Sequence, residues 1–150
     1  MGADDYREGA LLRLADAQIL YDAGQWVGCV YLAGRAVQCI LRSLLWARSS
    51  QQHVGHSLPQ MLDEVRRVGF LRERDFDGFD SKIDVIAVVW RNDLRFTGLR
   101  RFERLLKQGK RDQFIGQTKV TGDASKANAK SVLEATEWVV QRGEPLCKRR

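Results

Sequence analysis

The stretch from Trp26 to Arg48 constrains this chain more than any other part of it. Val27, Val30, Tyr31, Gly34, Val37, Leu41, Leu44 and Leu45 recur at helical spacing and form one apolar stripe. Trp26, Cys29, Ala33, Ala36 and Ile40 add a second apolar face, and only Gly28, Arg35, Gln38 and Arg42 leave a polar edge. A helix that is apolar on two faces has to be enclosed by other elements. The stretch therefore predicts a central, largely buried helix, and the rest of the chain has to supply its cover.

Strand-like alternation is absent, and helical periodicity recurs on both sides of that segment. A first helix is expected over about Tyr6 to Ala23, with Leu11, Leu14, Gln18 and Tyr21 on one face, Ala10 and Ala17 beside them, and Gly24 as its C-terminal cap. After a polar connector, Ser49 to Gly55, Ser57 fits an N-cap with Gln60 three residues on, and Pro59 is tolerated in the first turn. That third helix should end near Val68-Gly69. A fourth carries Phe79, Ile83, Ile86 and Trp90 and is expected to run to about Arg95, with Trp90 in the core. A short amphipathic piece follows, with Leu99, Phe102, Leu105 and Leu106 inward. The last helix is expected over about Ser125 to Arg142, with Gly143 and Pro145 as stop signals.

The fold class that follows is all-α: a compact four-to-five-helix bundle with an up-down core and a short extra helix. It should be a single domain across residues 1–150, with its core at about 6–142, a loop at 109–123 and a basic tail at 143–150. A chain of this length buries enough surface to fold without disulfides or metals. Cys29, Cys39 and Cys147 are odd in number and lack paired spacing, which argues against a disulfide framework and for a cytoplasmic setting. No apolar run is expected to reach the roughly 20 residues that span a bilayer. The acidic start, Met1 to Asp5, is unlike a secretory signal, and Tyr6 occupies the position where a myristoylation signal needs Ser or Thr.

Formal net charge is +6, and it is unevenly placed. Between Arg95 and Arg111 lie Arg95, Arg100, Arg101, Arg104, Lys107, Lys110 and Arg111, opposed within that span only by Glu103. Arg100, Arg104, Lys107 and Arg111 are spaced to share one outer face of a helix. Cations gathered on one face attract phosphates. The segment from Glu73 to Asp84 is acidic by contrast. His53 and His56 lie three apart, but no Cys or carboxylate completes a metal site, and no cofactor-binding loop is present. His56 directly precedes Ser57 and reads either as a turn residue or as a group able to exchange protons near neutrality.

The order of these elements resembles the HEPN family of nucleotide- and nucleic-acid-associated helical bundles. The likeness rests on an early helix, a long apolar second helix rich in small residues, and the Gly-His-Ser-Leu turn Gly55 to Leu58. It continues in Trp90-x-x-x-x-Arg95-Phe96-Thr97-Gly98 and in a last helix bearing Ala127, Ala129 and Ala135. Together these cover roughly Tyr6 to Gln141. Ribonuclease members of the family carry an Arg, a few residues and then a His, acting without metal across a dimer cleft. Arg91 fits the Arg and Asn92 the polar residue after it, whereas the His position falls on Phe96. A phenyl ring cannot transfer protons, and losing a general base typically costs about 10²- to 10⁴-fold in rate.

Three functions follow from the resemblance and the charge together. One is a non-catalytic, dimeric nucleic-acid- or nucleotide-binding module that contacts phosphates through Arg91, Arg95, Arg100, Arg104, Lys107 and Arg111. Another is a metal-independent ribonuclease, the toxin of a toxin–antitoxin pair, using Arg91, Asn92 and His56, with His53 as the other candidate base. The third is a protein-interaction module, with a small nucleotidyltransferase or an antitoxin as partner. Homodimer formation draws support from Trp26, Tyr31 and the apolar second helix.

Overall fold

A computed structural model describes residues 1–47, 57–69, 72–108 and 123–149. Those residues form six α-helices and two short 3-10 turns, with no strand among them. The helices are α1 (Ala3–Asp22), α2 (Trp26–Trp46), α3 (Leu58–Arg67), α4 (Phe79–Ala87), α5 (Leu99–Gln108) and α6 (Ala124–Cys147). The 3-10 turns are Glu73–Phe76 and Asn92–Phe96. The all-α bundle expected from periodicity is the fold observed. Its loop at 109–123 falls almost wholly outside the described residues.

α1 and α2 pair as an antiparallel hairpin. Gly24, at φ +73°, allows the turn: its N–H donates to Tyr21 O at 3.0 Å and the Gln25 N–H to Leu20 O at 2.8 Å, closing the end of α1. Further along, the Ser43 hydroxyl donates to Ala3 O at 2.7 Å, and Tyr21 meets Trp26 edge-on. α2 is the hub, packing against α1, α3, α6 and the Asn92–Phe96 turn. It is long and apolar enough to cross a membrane, contrary to the sequence reading that no such run exists. Most of its apolar residues, from Cys29 to Leu45, are buried against the other helices.

The structure corrects four boundaries or faces. α1 starts at Ala3 and turns the small residues Ala10 and Ala17 fully inward, beside partly buried Leu14 and Tyr21. That close approach rotates Leu11 and Gln18 outward, where Gln18 bonds Asp22. Ser57 is the N-cap of α3, but its side chain makes no capping hydrogen bond.

α4 ends at Ala87 instead of Arg95. α6 passes through both supposed stop signals to Cys147. Gly143 serves packing there: a Cβ on it would lie 2.5 Å from Ile40 Cγ2. Pro145 sits in the last turn, where a missing N–H removes a single intrahelical bond, and Leu146 and Cys147 are buried beyond it. Residues 143–147 are therefore part of the packed fold and not a tail.

Three carboxylates of the acidic stretch, Glu73, Asp75 and Asp80, have cation partners. Arg66 grips Asp80 with two bonds, at 2.8 and 2.6 Å, and reaches Glu73 at 3.4 Å. Asp75 receives Arg149 at 3.0 Å, and Glu144 receives Lys148 at 2.8 Å and Arg7 at 3.1 Å. These bonds hold Asp75, Asp80 and Glu144 below the usual carboxylate range. The backbone N–H of Arg72 acts first on Asp75, Arg66 on Asp80 and Lys148 on Glu144.

Candidate nucleic-acid interface

Trp90 builds the site by ending α4. Its backbone N–H still donates to Ile86 O at 2.9 Å, but its indole swings onto α2 and donates to Tyr31 O at 3.0 Å. The ring lies over Gly34 so closely that a Cβ there would stand 2.0 Å from Trp90 Cδ1. Only glycine leaves room for it. Arg91 then takes an extended conformation, with φ −136° and ψ 150°, which breaks the helix. Trp90 is core, as its helical spacing predicts.

From Arg91 the chain enters the 3-10 turn. Leu94 is buried, and bonds from Leu94 N to Arg91 O and from Thr97 N to Leu94 O, both 3.0 Å, fix it there. The Thr97 hydroxyl closes the turn on Asp93 O at 3.2 Å. With Leu94 inward, its neighbours Arg95 and Phe96 project into solvent. The Arg95 guanidinium carbon stands 4.6 Å from the centre of the Phe96 ring, which is 79% exposed.

α5 continues the arm. Phe102 and Leu106 are buried, which turns Arg100, Arg101, Arg104 and Lys107 outward. Leu99, expected inward, is 50% exposed and lines a cleft. From Arg91 to Lys107 there are six cations against two carboxylates. Asp93 pairs with Arg101 at 3.9 Å and not with its neighbours Arg91 or Arg95. Arg91, Arg95, Arg100, Arg104 and Lys107 form no ion pair among the described residues. Unmatched cations on a fixed scaffold raise the local concentration of phosphates.

The cleft, of about 460 Å³, separates this arm from the α1–α2 turn and is lined by Gln25, Trp26, Tyr31, Leu94, Arg95 and Leu99 among others. Below it Cys29 is buried, and burial first, then the charge of Asp22, pushes its thiol up to about 12. Such a thiol is a core hydrophobe and not a nucleophile. Burial raises the Cys39 and Cys147 thiols as well.

Of the residues singled out in the sequence, the structure brings Arg91, Arg95, Arg100, Arg104 and Lys107 onto one exposed arm. Arg91 and Arg95 lie beyond the end of α4, at and within the 3-10 turn. His53, His56, Arg111 and the side chain of Asn92 lie outside the described residues. No group of three or more His, Cys, Asp and Glu side chains gathers as a metal site among the described residues. The exposed ring of Phe96 is what sequence reasoning missed. The sequence carries no signal for it, because a phenylalanine is placed inside by default.

No family model, curated protein or solved structure matches the chain.

Proposed function

We propose that the chain is a non-catalytic, HEPN-like module that binds nucleic acid or nucleotides through the arm from Arg91 to Lys107. The observation that carries this reading is the set of five exposed cations, Arg91, Arg95, Arg100, Arg104 and Lys107, without carboxylate partners among the described residues. Arg66, by contrast, is matched by Asp80 and Glu73. Here Asp93 and Glu103 oppose six positive charges. Phe96 in the histidine position of the ribonuclease motif supports binding without cleavage, since no proton can pass through the ring. The ribonuclease alternative, as the toxin of a toxin–antitoxin pair, would draw its base from His56 or His53 and its phosphate contact from Arg91.

A second reading has its own support. α1 leaves Leu11, Leu12 and Ile19 exposed, Leu12 at 52% and Ile19 at 64%. Apolar side chains lined up on one helix favour contact with a protein. Most apolar residues of α2, whose surface suggested a homodimer in the sequence, are buried, while Trp26 and Tyr31 stay half-buried at the cleft. On this reading a second copy, a nucleotidyltransferase or an antitoxin would meet the exposed face of α1. The two readings are compatible, because α1 and the basic arm are different surfaces. A cytoplasmic setting fits both.

The test incubates the protein with labelled structured and single-stranded RNA in the presence of EDTA, scoring retention and cleavage together for wild type and Arg91→Ala. Retention without cleavage is the expected result. Cleavage abolished by Arg91→Ala would replace this reading with the ribonuclease. Neither retention nor cleavage would leave the α1 surface and a protein partner as the function.

A further inference from the structure

We propose that the Phe96 ring is a stacking platform for an unpaired base, so that the basic arm selects single-stranded over duplex nucleic acid. This inference rests on the binding function proposed above and names the form of nucleic acid which that site takes.

Phe76, Phe79 and Phe102 are all buried to within 1% of complete, whereas Phe96 is 79% exposed. A phenyl ring left in water forgoes the stabilisation that burial gives its neighbours, and the packing of the described residues does not require it at this position. The side chain makes no contribution to the core that Leu94 does not already make. The turn that carries the ring is nevertheless fixed. The backbone on either side of it is pinned by the Leu94 and Thr97 bonds, and Arg95 lies against the ring at 4.6 Å. An aromatic surface fixed on a short turn loses little freedom when a base stacks on it. The cation beside it strengthens the platform, because guanidinium and base both favour a π-face.

The surroundings match a nucleotide strand. Arg91, Arg95, Arg100 and Arg104 are available to successive phosphates on both sides of the ring along the chain. The half-exposed Leu99 extends the apolar surface, and the cleft lined by Trp26, Tyr31 and Arg95 opens at the same turn. A duplex offers the same phosphates but keeps its bases stacked on one another, out of reach of a side chain. The cations alone would bind both forms. The ring distinguishes them.

The experiment measures fluorescence anisotropy of labelled oligo(U), oligo(dT) and a duplex of equal length with wild type, Phe96→Ala and Phe96→Trp. Wild type should favour the single strands. Phe96→Ala should weaken single-strand binding by about 5- to 150-fold, the range for loss of one aromatic–base stack, bringing it towards the duplex value. Phe96→Trp should keep the preference, with its fluorescence quenched by the single strand. Because Phe96 is exposed, Phe96→Ala should melt within about 1 °C of wild type, which separates lost binding from lost fold. Equal affinity of wild type for single strands and duplex, or a Phe96→Ala protein that keeps the preference, would overturn the inference while leaving the phosphate-binding function standing. Absence of binding to all three nucleic acids would remove both.

Discussion

Replacing Gly34 by alanine tests how the arm is positioned. The added Cβ would stand 2.0 Å from Trp90 Cδ1 and 2.1 Å from Nε1. Carbon atoms rest about 3.5–4.0 Å apart, so the indole has to retreat by roughly 1.5 Å. Gly34 is on a buried helix and Trp90 is wedged between α2 and the chain leading to Leu94, so neither yields freely. Overpacking of this kind costs about 1–3 kcal/mol. A retreating ring also breaks the bond to Tyr31 O, and leaving that donor or acceptor unpaired adds about 1–3 kcal/mol. Alanine recovers at most about 1 kcal/mol through its better helix propensity.

The net loss for Gly34→Ala is about 1–5 kcal/mol, which for a domain of this size lowers Tm by roughly 3–20 °C. Thermal unfolding followed by far-UV circular dichroism reads this directly, and near-UV dichroism reports the displaced indole. Gly98→Ala is the control, since a Cβ there meets nothing within 4 Å, and it should change stability by less than about 0.5 kcal/mol. A Gly34→Ala protein that melts within about 1 °C of wild type would refute the argument that Trp90 is seated on that glycine.

Gly143→Ala should destabilise by up to about 2 kcal/mol in urea titration, as the clash with buried Ile40 outweighs the roughly 1 kcal/mol gained in helix propensity, and a gain in stability would contradict that packing. Asp75, Asp80 and Glu144 titrate below the usual carboxylate range in the folded chain. Their contribution is therefore complete above the unfolded values near pH 4 and is lost as pH falls through the lower folded ones. Asp80→Asn should cost no more than about 1 kcal/mol at pH 7, the scale of an exposed pair. Its deficit relative to wild type should shrink on acidification, and a deficit unchanged down to about pH 2 would contradict the Arg66 bond as its cause. Thiol labelling of the native protein at pH 8 should modify Cys39 first, because Cys29 and Cys147 are buried, and equal rates at all three would show the core opening.

The helices were legible because their apolar spacing is set by the backbone's own period. α2 announced itself as central, and Trp90 as core. The misread boundaries share one cause, which is that the deciding contact lies far away in sequence. Gly143 and Pro145 look like punctuation until Ile40, on another helix, occupies the space a side chain would need. The period of Ile83, Ile86 and Trp90 continues past Ala87, but α4 ends there and the Trp90 indole is taken up by Tyr31 O and the space over Gly34. The cations of the arm could be read from charge alone, because six of them face only Asp93 and Glu103 between Arg91 and Lys107. The exposure of Phe96 could not, since a phenylalanine is placed inside by default and only the direction of a 3-10 turn turns it out.

The central claim is that exposed cations on one arm bind phosphates, and the dependence of affinity on salt measures it most directly. If all five unmatched cations engage a single strand, log K should fall linearly with log salt with a slope of about −3.5, at roughly −0.7 per phosphate contact. The doubly substituted Arg100→Ala/Arg104→Ala protein should have a slope near −2, with its melting temperature unchanged. A slope that the two substitutions leave untouched, or affinity indifferent to salt, would contradict the account.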